Sequence, residues 1–348
     1  MSDPVTIAVA GGGYGSKVAL PVYAELEEFE PVAVWSRRPE RARELAQRAG
    51  LQLGTADLDE LLELPGLEAV HVATPVVTHP AFARAVVERG LHLLCEKPLA
   101  DALPAARGIV DAARRAGVVA AVNYGRRFEE GRLRLLDRSR DVLGRPRLAS
   151  VSLVFADHAD SDSRPFTWVH DATLGGGRLQ GYGVHDLDLL LELFGEVEAV
   201  AAATEVTVPQ RIDGDGELRP VSAEDTFGIL LRFRGGGLAV VSFTATAHHD
   251  RGDLIELHGA EGTVRLDADG RLSWGRSGQE LQIEGPLGSA PQEAFKHVAR
   301  RFWAAIRSGA APDPSLDEAL RVQAVFDAVR TADIERRWVQ PEPVDVAR

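Results

Sequence analysis

The feature that most constrains the fold is a regular alternation of short apolar runs with helix-like segments in the first third of the chain. The apolar runs are VTIAVA (5–10), PVAVWS (31–36), AVHVAT (69–74), LHLLC (91–95) and VVAAVN (118–123). Runs that are apolar throughout suit strands buried on both faces, and the segments between them have helical spacing and often stop at glycine. This βα repeat predicts a doubly wound parallel sheet.

A glycine-rich segment, GGGYGS, directly follows the first predicted strand. Gly11, Gly13 and Ser16 have the Gly-x-Gly-x-x-Gly spacing, in which two glycines allow a tight turn and close approach of a pyrophosphate. We expect Ser16, in the third place, to be small enough for close helix packing. Glycine clusters also form ordinary turns, but this position favours a Rossmann dinucleotide site. Its predicted cofactor-binding residues are Gly11, Gly13, Tyr14, Gly15 and Ser16.

The second predicted strand ends in Ser36, Arg37 and Arg38, where an NAD site usually has an acidic residue for the ribose. A guanidinium pairs well with a 2′-phosphate. The three residues therefore favour NADP(H) over NAD(H), with NAD(H) possible. The alternative is an exposed basic helix start with no role in binding.

The fourth apolar run ends directly on Glu96, Lys97 and Pro98, at the same edge of the predicted sheet as the glycine loop. Buried charges are costly unless they are paired or used, so we expect this segment to face the cofactor. With CEKPLA, the chain resembles the glucose–fructose oxidoreductase / inositol dehydrogenase (Gfo/Idh/MocA) family. ATPVVTHP, NYGRRF and WVHDATLGGGRLQGYGVHDLD resemble further segments of that family in the same order, so the resemblance covers nearly the whole chain.

The resemblance implies a role for each matched segment. Thr74, Pro75 and His79 would border the nicotinamide end of the cofactor, together with Glu96 and Lys97. The crossing into the second domain and the substrate segment supply the predicted substrate-binding residues, which are Tyr124, Arg126, Trp168, Tyr182 and Asp186. His170 lies on the same loop as Trp168, where the two either form an apolar wall for a sugar ring or only pack the loop.

Moving hydride to or from a nicotinamide requires a group that exchanges the hydroxyl proton. Lys97 is the predicted acid–base residue, because a cationic nicotinamide and partial burial would lower its pKa. Glu96 would orient the ammonium or hold the turn, and the resemblance suggests a cis Lys97–Pro98 bond. His185 would assist. The alternatives are an ion pair that caps a loop and a buried histidine satisfied by the backbone.

Inositol-dehydrogenase-like members carry an aspartate four residues before that histidine, but here the position is Gly181. Three explanations stay open. The first is that Lys97 and His185 suffice for proton transfer. The second is that Tyr182, Asp186 or a carboxylate from FADHADSDSRPF takes the place of the aspartate. The third is that catalysis has been lost. For Asp188 we favour helix capping over substrate contact. His185 with Asp188, and HHD at 248–250, complete no three-ligand spacing, so we predict no metal.

The second part of the chain carries longer alternating runs, at 147–156, 196–208, 225–247 and 255–267, separated by glycine turns. These predict antiparallel hairpins, followed by helices near 292–308 and 315–333. We therefore predict a Rossmann domain at 1–123 and an α+β domain with a large, mostly antiparallel open sheet at 124–348. We expect one face of this sheet to form a homodimer or homotetramer, as is usual in the family.

Charge and composition exclude some partners. The formal net charge of −13 argues against nucleic-acid binding. No apolar segment approaches the length of a membrane span, no signal peptide is visible at the start, and the single cysteine suits a reducing cytoplasm. The predicted protein is a cytoplasmic NADP(H)-preferring oxidoreductase of a hydroxyl or keto carbon in a sugar, sugar derivative or cyclitol. The alternatives are a catalytically silent nucleotide- or sugar-sensing regulator and an NAD-dependent glycoside hydrolase of the same fold.

Overall fold

The computed structural model describes residues 3–288 and 290–344, which form two compact units. The first contains residues 3–128 and 290–323, and the second contains 129–288 and 324–344. The predicted domains, 1–123 and 124–348, extend into residues outside this description and stay a prediction. The units differ from them at 124–128 and 290–323, which group with the first unit rather than the second.

The first unit is built on a six-stranded parallel sheet with the order β3-β2-β1-β4-β5-β6. Its strands are β1 Val5–Ala10, β2 Phe29–Trp35, β3 Leu53–Thr55, β4 Ala69–Val72, β5 His92–Glu96 and β6 Ala120–Asn123. The predicted parallel sheet is confirmed, and β3 is the strand that the sequence pattern missed because it is only three residues long. The order reverses between β1 and β4, which is where ligands bind in open α/β sheets.

Helices follow most of these strands. The α-helices of the first unit are α1 Leu20–Glu25, α2 Pro39–Ala49, α3 Leu58–Leu62, α4 His79–Glu88 and α5 Leu103–Ala116. Both α2 and α5 end at a glycine with positive φ, Gly50 at 68° and Gly117 at 67°, as the glycine stops predicted. Shorter helical turns are a π turn at Gly15–Ala19 and 3₁₀ turns at Val76–Thr78 and Gly125–Phe128.

The helix at Pro291–Ser308 also belongs to the first unit. Its Phe295 packs against Tyr23, with ring centroids 5.5 Å apart, and stacks on His71 at 5.4 Å. Helical periodicity in the sequence shows that this segment has an apolar face, but it does not show which sheet that face covers.

The second unit is built on an eight-stranded sheet with the order β16-β15-β14-β13-β7-β12-β11-β8. Neighbouring strands are antiparallel except β7 and β12, so the predicted mostly antiparallel sheet is confirmed. The strands are β7 Pro146–Val154, β8 Val197–Glu205, β11 Thr226–Phe233, β12 Leu238–Thr244, β13 Gly252–Gly259, β14 Gly262–Leu266, β15 Leu272–Arg276 and β16 Gln282–Glu284. A separate hairpin pairs β9 Gln210–Ile212 with β10 Leu218–Pro220.

Helices α6 Glu130–Val142 and α7 Val184–Phe194 pack against one face of this sheet. The alternation of the strands follows from this packing, since Ala239 and Val241 of β12 are buried while Leu238 and Val240 between them are exposed. The remaining helical segments are π or 3₁₀ turns at Trp168–His170, Ala172–Leu174 and Leu179–Gly183, with α8 Pro291–Ser308 and α9 Leu316–Glu335. Within residues 3–288 and 290–344, no helix is long and apolar enough to cross a membrane.

Candidate active site

The loop after β1 makes a close contact with the neighbouring strand end through two glycines. Gly11 has a φ of 145°, and a Cβ on it would lie 2.1 Å from the carbonyl oxygen of Ala73. A Cβ on Gly15 would lie 2.6 Å from Val9. Close packing of the helix on the sheet therefore depends on Gly15. Ser16, which we expected from the sequence to be small enough for close helix packing, donates its hydroxyl to the Gly12 carbonyl at 2.7 Å.

Gly13 differs from these two glycines. A Cβ on Gly13 would meet no atom within 4 Å, so the fold itself does not require glycine there. A small residue at the exposed tip of the loop suits the approach of a dinucleotide pyrophosphate, which a Cβ would obstruct. The buried amide oxygen of Asn123, at the carboxyl end of β6, also has no hydrogen-bond partner among the described residues. These two observations fit a bound nicotinamide dinucleotide.

The end of β2 carries the residues predicted to choose between the two cofactors. Ser36 is buried beside the loop, and a Cβ on Gly12 would lie 3.3 Å from its hydroxyl oxygen. Arg37 and Arg38 are exposed, and neither forms an ion pair within the described part of the chain. Arg38 is also the N-cap residue of α2.

Beyond β4, His79 braces two segments of the site. It is 1% exposed, and its ring nitrogens lie 2.9 Å from the Thr74 carbonyl oxygen and 3.0 Å from the Pro98 carbonyl oxygen. A neutral imidazole donates one of these hydrogen bonds at a time, and burial lowers the pKa of His79. The side chain thus links the turn at Thr74 and Pro75, both partly exposed, to the turn that follows β5.

Glu96, the last residue of β5, is held by a buried network. Its Oε1 accepts a hydrogen bond from Asn123 at 2.6 Å and lies 3.3 Å from Nε2 of His71. The other nitrogen of His71 lies 3.2 Å from the Tyr23 hydroxyl, which lets Nε2 carry the proton that faces the carboxylate. Burial raises the pKa of Glu96, but the contacts with His71, Asn123 and Lys97 outweigh burial and leave it below its ordinary value. Glu96 is therefore a fixed anion.

Lys97 follows in a partly buried turn, and its peptide bond to Pro98 is cis, as the resemblance suggested. Burial lowers the pKa of the Lys97 ammonium to about 8, which the charge of Glu96 opposes and the charge of Arg126 reinforces. Arg126 thus lies near Lys97. An amine with this pKa exchanges a proton near neutral pH.

The residues of the first unit therefore meet at the carboxyl edge of its sheet, although Tyr124 differs from expectation. Tyr124 is 1% exposed, which leaves little side-chain surface for a substrate. Tyr14 is 36% exposed, and its hydroxyl accepts a hydrogen bond from Asn123 at 3.3 Å. Sequence reasoning missed His71 and Asn123 as supports of Glu96. The available signal was a polar residue inside an otherwise apolar strand.

In the second unit, the helix that carries His185 begins with a π turn and continues as α7. His185 is 7% exposed. A Cβ on Gly181, one turn earlier, would meet no atom within 4 Å. Tyr182 is partly exposed and packs against Phe155 and Phe243, with ring centroids 5.4 and 5.0 Å apart.

Asp186 has no exposed surface and forms an ion pair with the buried Arg132 at 2.7 Å. This burial argues against the predicted substrate contact and gives Asp186 a structural role instead. Asp188 lies inside α7, past the first turn, so the predicted helix cap is wrong; the N-cap is Gly183. Trp168 is 44% exposed, while His170 is buried. Among residues 3–288 and 290–344, no group of three His, Cys, Asp or Glu side chains is arranged to hold a metal ion.

Two family models match the two parts of the chain. The model of the Gfo/Idh/MocA oxidoreductase family with an NAD-binding Rossmann fold matches residues 5–124. The model of the Gfo/Idh/MocA C-terminal domain matches residues 138–265.

Named relatives and solved structures support the same family. The chain is 30% identical over 241 residues to 1,5-anhydro-D-fructose reductase of Ensifer adhaerens, covering 68% of this chain and 67% of the relative. It is 26% identical to levoglucosan dehydrogenase of Pseudarthrobacter phenanthrenivorans, covering 96% and 97%. The solved structure of levoglucosan dehydrogenase with NADH and L-sorbose matches with a TM-score of 0.88 and 26% identity, covering 97% of this chain and 99% of that one. The protein is thus a member of the Gfo/Idh/MocA family of oxidoreductases.

Proposed function

We propose that this protein moves hydride between a nicotinamide dinucleotide and a carbon that bears a hydroxyl or keto group in a sugar, sugar derivative or cyclitol. The observation that carries the proposal is the ammonium of Lys97, held at the carboxyl edge of the parallel sheet with its pKa lowered by burial to about 8. The substrate class is supported by the relatives, whose names describe a levoglucosan dehydrogenase and a 1,5-anhydro-D-fructose reductase.

In this mechanism, the nicotinamide supplies the hydride acceptor or donor. Lys97 in its amine form accepts the hydroxyl proton during oxidation, and in its ammonium form it returns a proton during reduction. Glu96 stays ionised through His71 and Asn123, so its charge holds the Lys97 pKa above the value that burial alone would set. His79 holds the turn at Pro98 next to the turn at Thr74. His185, on the second unit, is the proposed assisting group.

The test of this proposal is reduction of NAD⁺ and NADP⁺, followed by nicotinamide absorbance, with a panel of sugars, sugar derivatives and cyclitols. We expect Lys97→Ala to lower kcat by about 10²- to 10⁴-fold, the usual contribution of a general acid–base group, and to leave dinucleotide binding unchanged. Lys296→Ala, at a partly exposed and ion-paired lysine, is the matched control and should behave as the parent does. Full activity of Lys97→Ala would refute the assignment.

We also propose that NADP(H) is preferred over NAD(H), because Arg37 and Arg38 are exposed at the end of β2 and form no ion pair within the described chain. The double change Arg37→Gln/Arg38→Gln should lower the ratio of kcat/KM for NADP⁺ to that for NAD⁺ by about 10-fold or more, since each charged hydrogen bond is worth roughly 1.5–3 kcal/mol. Arg48→Gln, in the last turn of α2, serves as a control for net charge. An unchanged ratio would show that these arginines do not bind the 2′-phosphate of NADP⁺.

One observation favours a second candidate, a catalytically silent sensor. The position of the family aspartate is Gly181, with open space where a side chain would stand. A sensor would bind reduced cofactor tightly and would leave it unoxidised with every ketosugar of the panel. Calorimetric binding measured beside the rate assay separates the two functions.

A further inference from the structure

A group of arginine, histidine and aspartate side chains in the second unit has no role in the mechanism above. It lies on the loop that joins β7 to α7, with one member from β9. We call it the Arg178 cluster, and its members are Asp157, His158, His170, Arg178 and Arg211.

Arg178 lacks a carboxylate partner within the described chain. Its side chain is partly buried, and burial lowers its pKa, although the charges of Tyr182, Asp157 and Asp225 oppose this. Its Nη2 contacts both ring nitrogens of His158, and within residues 3–288 and 290–344 it makes no ion pair. A guanidinium has five N–H groups, so the one neutral ring that Arg178 contacts leaves most of its donors without a side-chain acceptor among the described residues.

His158 is set up as an acceptor for Arg178. Its Nδ1 lies 2.9 Å from an oxygen of Asp157, which fixes the Nδ1–H tautomer and turns the lone pair of Nε2 towards the guanidinium. Burial also lowers the pKa of His158, so the ring is neutral near pH 7. Asp157 orients the imidazole while it also pairs with Arg164 at 3.0 Å.

His170 supplies a second donor. Its Nδ1 accepts a hydrogen bond from the Thr167 backbone at 3.0 Å, so Nε2 carries the proton. The residue is 6% exposed, and this Nε2 has no hydrogen-bond partner among the described residues. Burial and next the charge of Arg211 lower the pKa of His170 to about 4, which makes it a neutral donor. Its ring centroid lies 5.3 Å from that of His158, the ring that Arg178 contacts.

The other charged groups around the cluster are already used. Arg211 donates to the carbonyl oxygens of Asp160 and His158. Asp225 accepts hydrogen bonds from the backbone and hydroxyl of Thr207 and from the backbone of Val208. Glu224 accepts from the Leu179 backbone at 2.9 Å. Among the described residues of the cluster, the donors left to face a ligand are on Arg178, Nε2 of His170 and Nε of Arg211, the last two of which have no hydrogen-bond partner there.

The position of Arg178 links the cluster to the reaction. It stands directly before the π turn that leads into α7, three residues before Gly181 and seven before His185. Seven helical residues span about 10 Å. In the proposal below, a five- or six-carbon sugar with an oxyanion at one end would extend from Arg178 towards His185. The open space beside Gly181 leaves room for it.

We propose that Arg178 and His170 bind an oxyanion group of the substrate, a carboxylate or a phosphate, so that the protein acts on a sugar acid or a sugar phosphate in preference to a neutral sugar. The inference rests on the proposed oxidoreductase function and names its substrate class. It also explains why an aspartate is absent at position 181, because a carboxylate there would compete for Arg178.

Binding tests the proposal independently of turnover. Calorimetry on the full chain saturated with NADPH, or with NADH if that is the cofactor it takes, would use D-gluconate, D-glucuronate and D-glucose 6-phosphate as probes, each against D-glucitol and D-glucose. We expect at least one anionic probe to bind about 10-fold or more tightly than its neutral counterpart, from one charged hydrogen bond. The two acids and the phosphate distinguish a carboxylate from a phosphate ligand. Equal or weaker binding of all the anionic probes overturns the proposal.

Variants test whether Arg178 is responsible for the tighter binding of anionic probes. Arg178→Gln should reduce binding of the preferred anion by about 10-fold or more, and raise its KM, while binding of the neutral probes changes less. Arg219→Gln, which removes an exposed arginine of the same unit, is the control for net charge. Equal loss for charged and neutral probes would assign Arg178 a structural role and overturn the proposal.

Two substitutions at Gly181 test the proposal without changing Arg178 itself. Gly181→Asp should weaken anion binding, because the new carboxylate competes for the guanidinium, whereas the isosteric Gly181→Asn should have a much smaller effect. Equal effects would contradict the proposal. If neutral sugars are oxidised and anionic ones are not, the oxidoreductase function stands and the anionic substrate class fails. If anionic probes bind and no probe is oxidised, the oxidoreductase function fails instead.

Discussion

At the scale of single residues, Lys97 is tuned by two neighbours of opposite charge. Burial lowers its pKa to about 8, Glu96 raises it and Arg126 lowers it. The amine form therefore increases as pH rises through about 8, so kcat/KM for alcohol oxidation should rise and then level off.

We predict that Glu96→Gln and Arg126→Gln move this profile in opposite directions. Loss of the anion removes the influence that raises the Lys97 pKa, so Glu96→Gln shifts the apparent pKa down; loss of the cation shifts it up in Arg126→Gln. Measurement of kcat/KM from about pH 6 to pH 10, which brackets the ordinary range of a perturbed lysine, checks both. The exposed Glu88→Gln is the control. Shifts in the same direction would show that Lys97 is not the titrating group.

Asp186 and Arg132 form an ion pair that is almost completely buried from solvent, with side-chain exposures of 0% and 2%. Removing one partner of a buried ion pair usually costs about 3–5 kcal/mol. Asp186→Asn should therefore lower the free energy of unfolding by up to that amount and leave the KM of the folded fraction unchanged. Chemical denaturation measures the first effect and steady-state kinetics the second. A raised KM at unchanged stability would restore the substrate role.

At the scale of elements, the turn from β1 into its helix uses its glycines for different purposes. A Cβ added to Gly11 or Gly15 would have neighbours at 2.1 and 2.6 Å, while one added to Gly13 would have none within 4 Å. We predict that Gly11→Ala lowers the melting temperature, because the loop must move away from Ala73. Gly13→Ala should keep the melting temperature and weaken dinucleotide binding by about 10-fold or more, since close backbone approach is lost. Thermal unfolding and calorimetry distinguish the two. Unchanged cofactor binding in a folded Gly13→Ala protein would contradict the predicted site.

At the scale of the whole molecule, one face of the large sheet in the second unit carries an exposed apolar patch. Leu148 and Leu238 are paired across β7 and β12, and Val240 follows on the same face; their exposures are 38%, 36% and 43%. Apolar faces of this kind mark interaction surfaces. We therefore expect a homodimer or homotetramer that forms through this sheet.

Val240→Lys should convert this oligomer to smaller species, because a charge would be buried in the interface. Light scattering after size exclusion measures the mass. Leu218→Lys, on the separate β9–β10 hairpin and 58% exposed, is the control and should leave the mass unchanged. A monomeric parent protein would refute the expectation directly.

The sequence by itself determined what depends on local pattern. Continuous apolar runs predicted the parallel sheet, alternating runs predicted the antiparallel one, and CEKPLA with GGGYGS predicted the family. These features follow from side-chain periodicity and turn chemistry, which are local along the chain. The tertiary structure alone decided what depends on residues distant in sequence. It showed that His71 and Asn123 hold Glu96, that Gly15 lets the helix approach the sheet, and that α8 packs in the first unit. It also showed that Asp186 pairs with Arg132 while Arg178 has no carboxylate partner in the described chain. The sequence shows where the charged residues are, but only the fold shows which of them lie close enough to an opposite charge to form an ion pair.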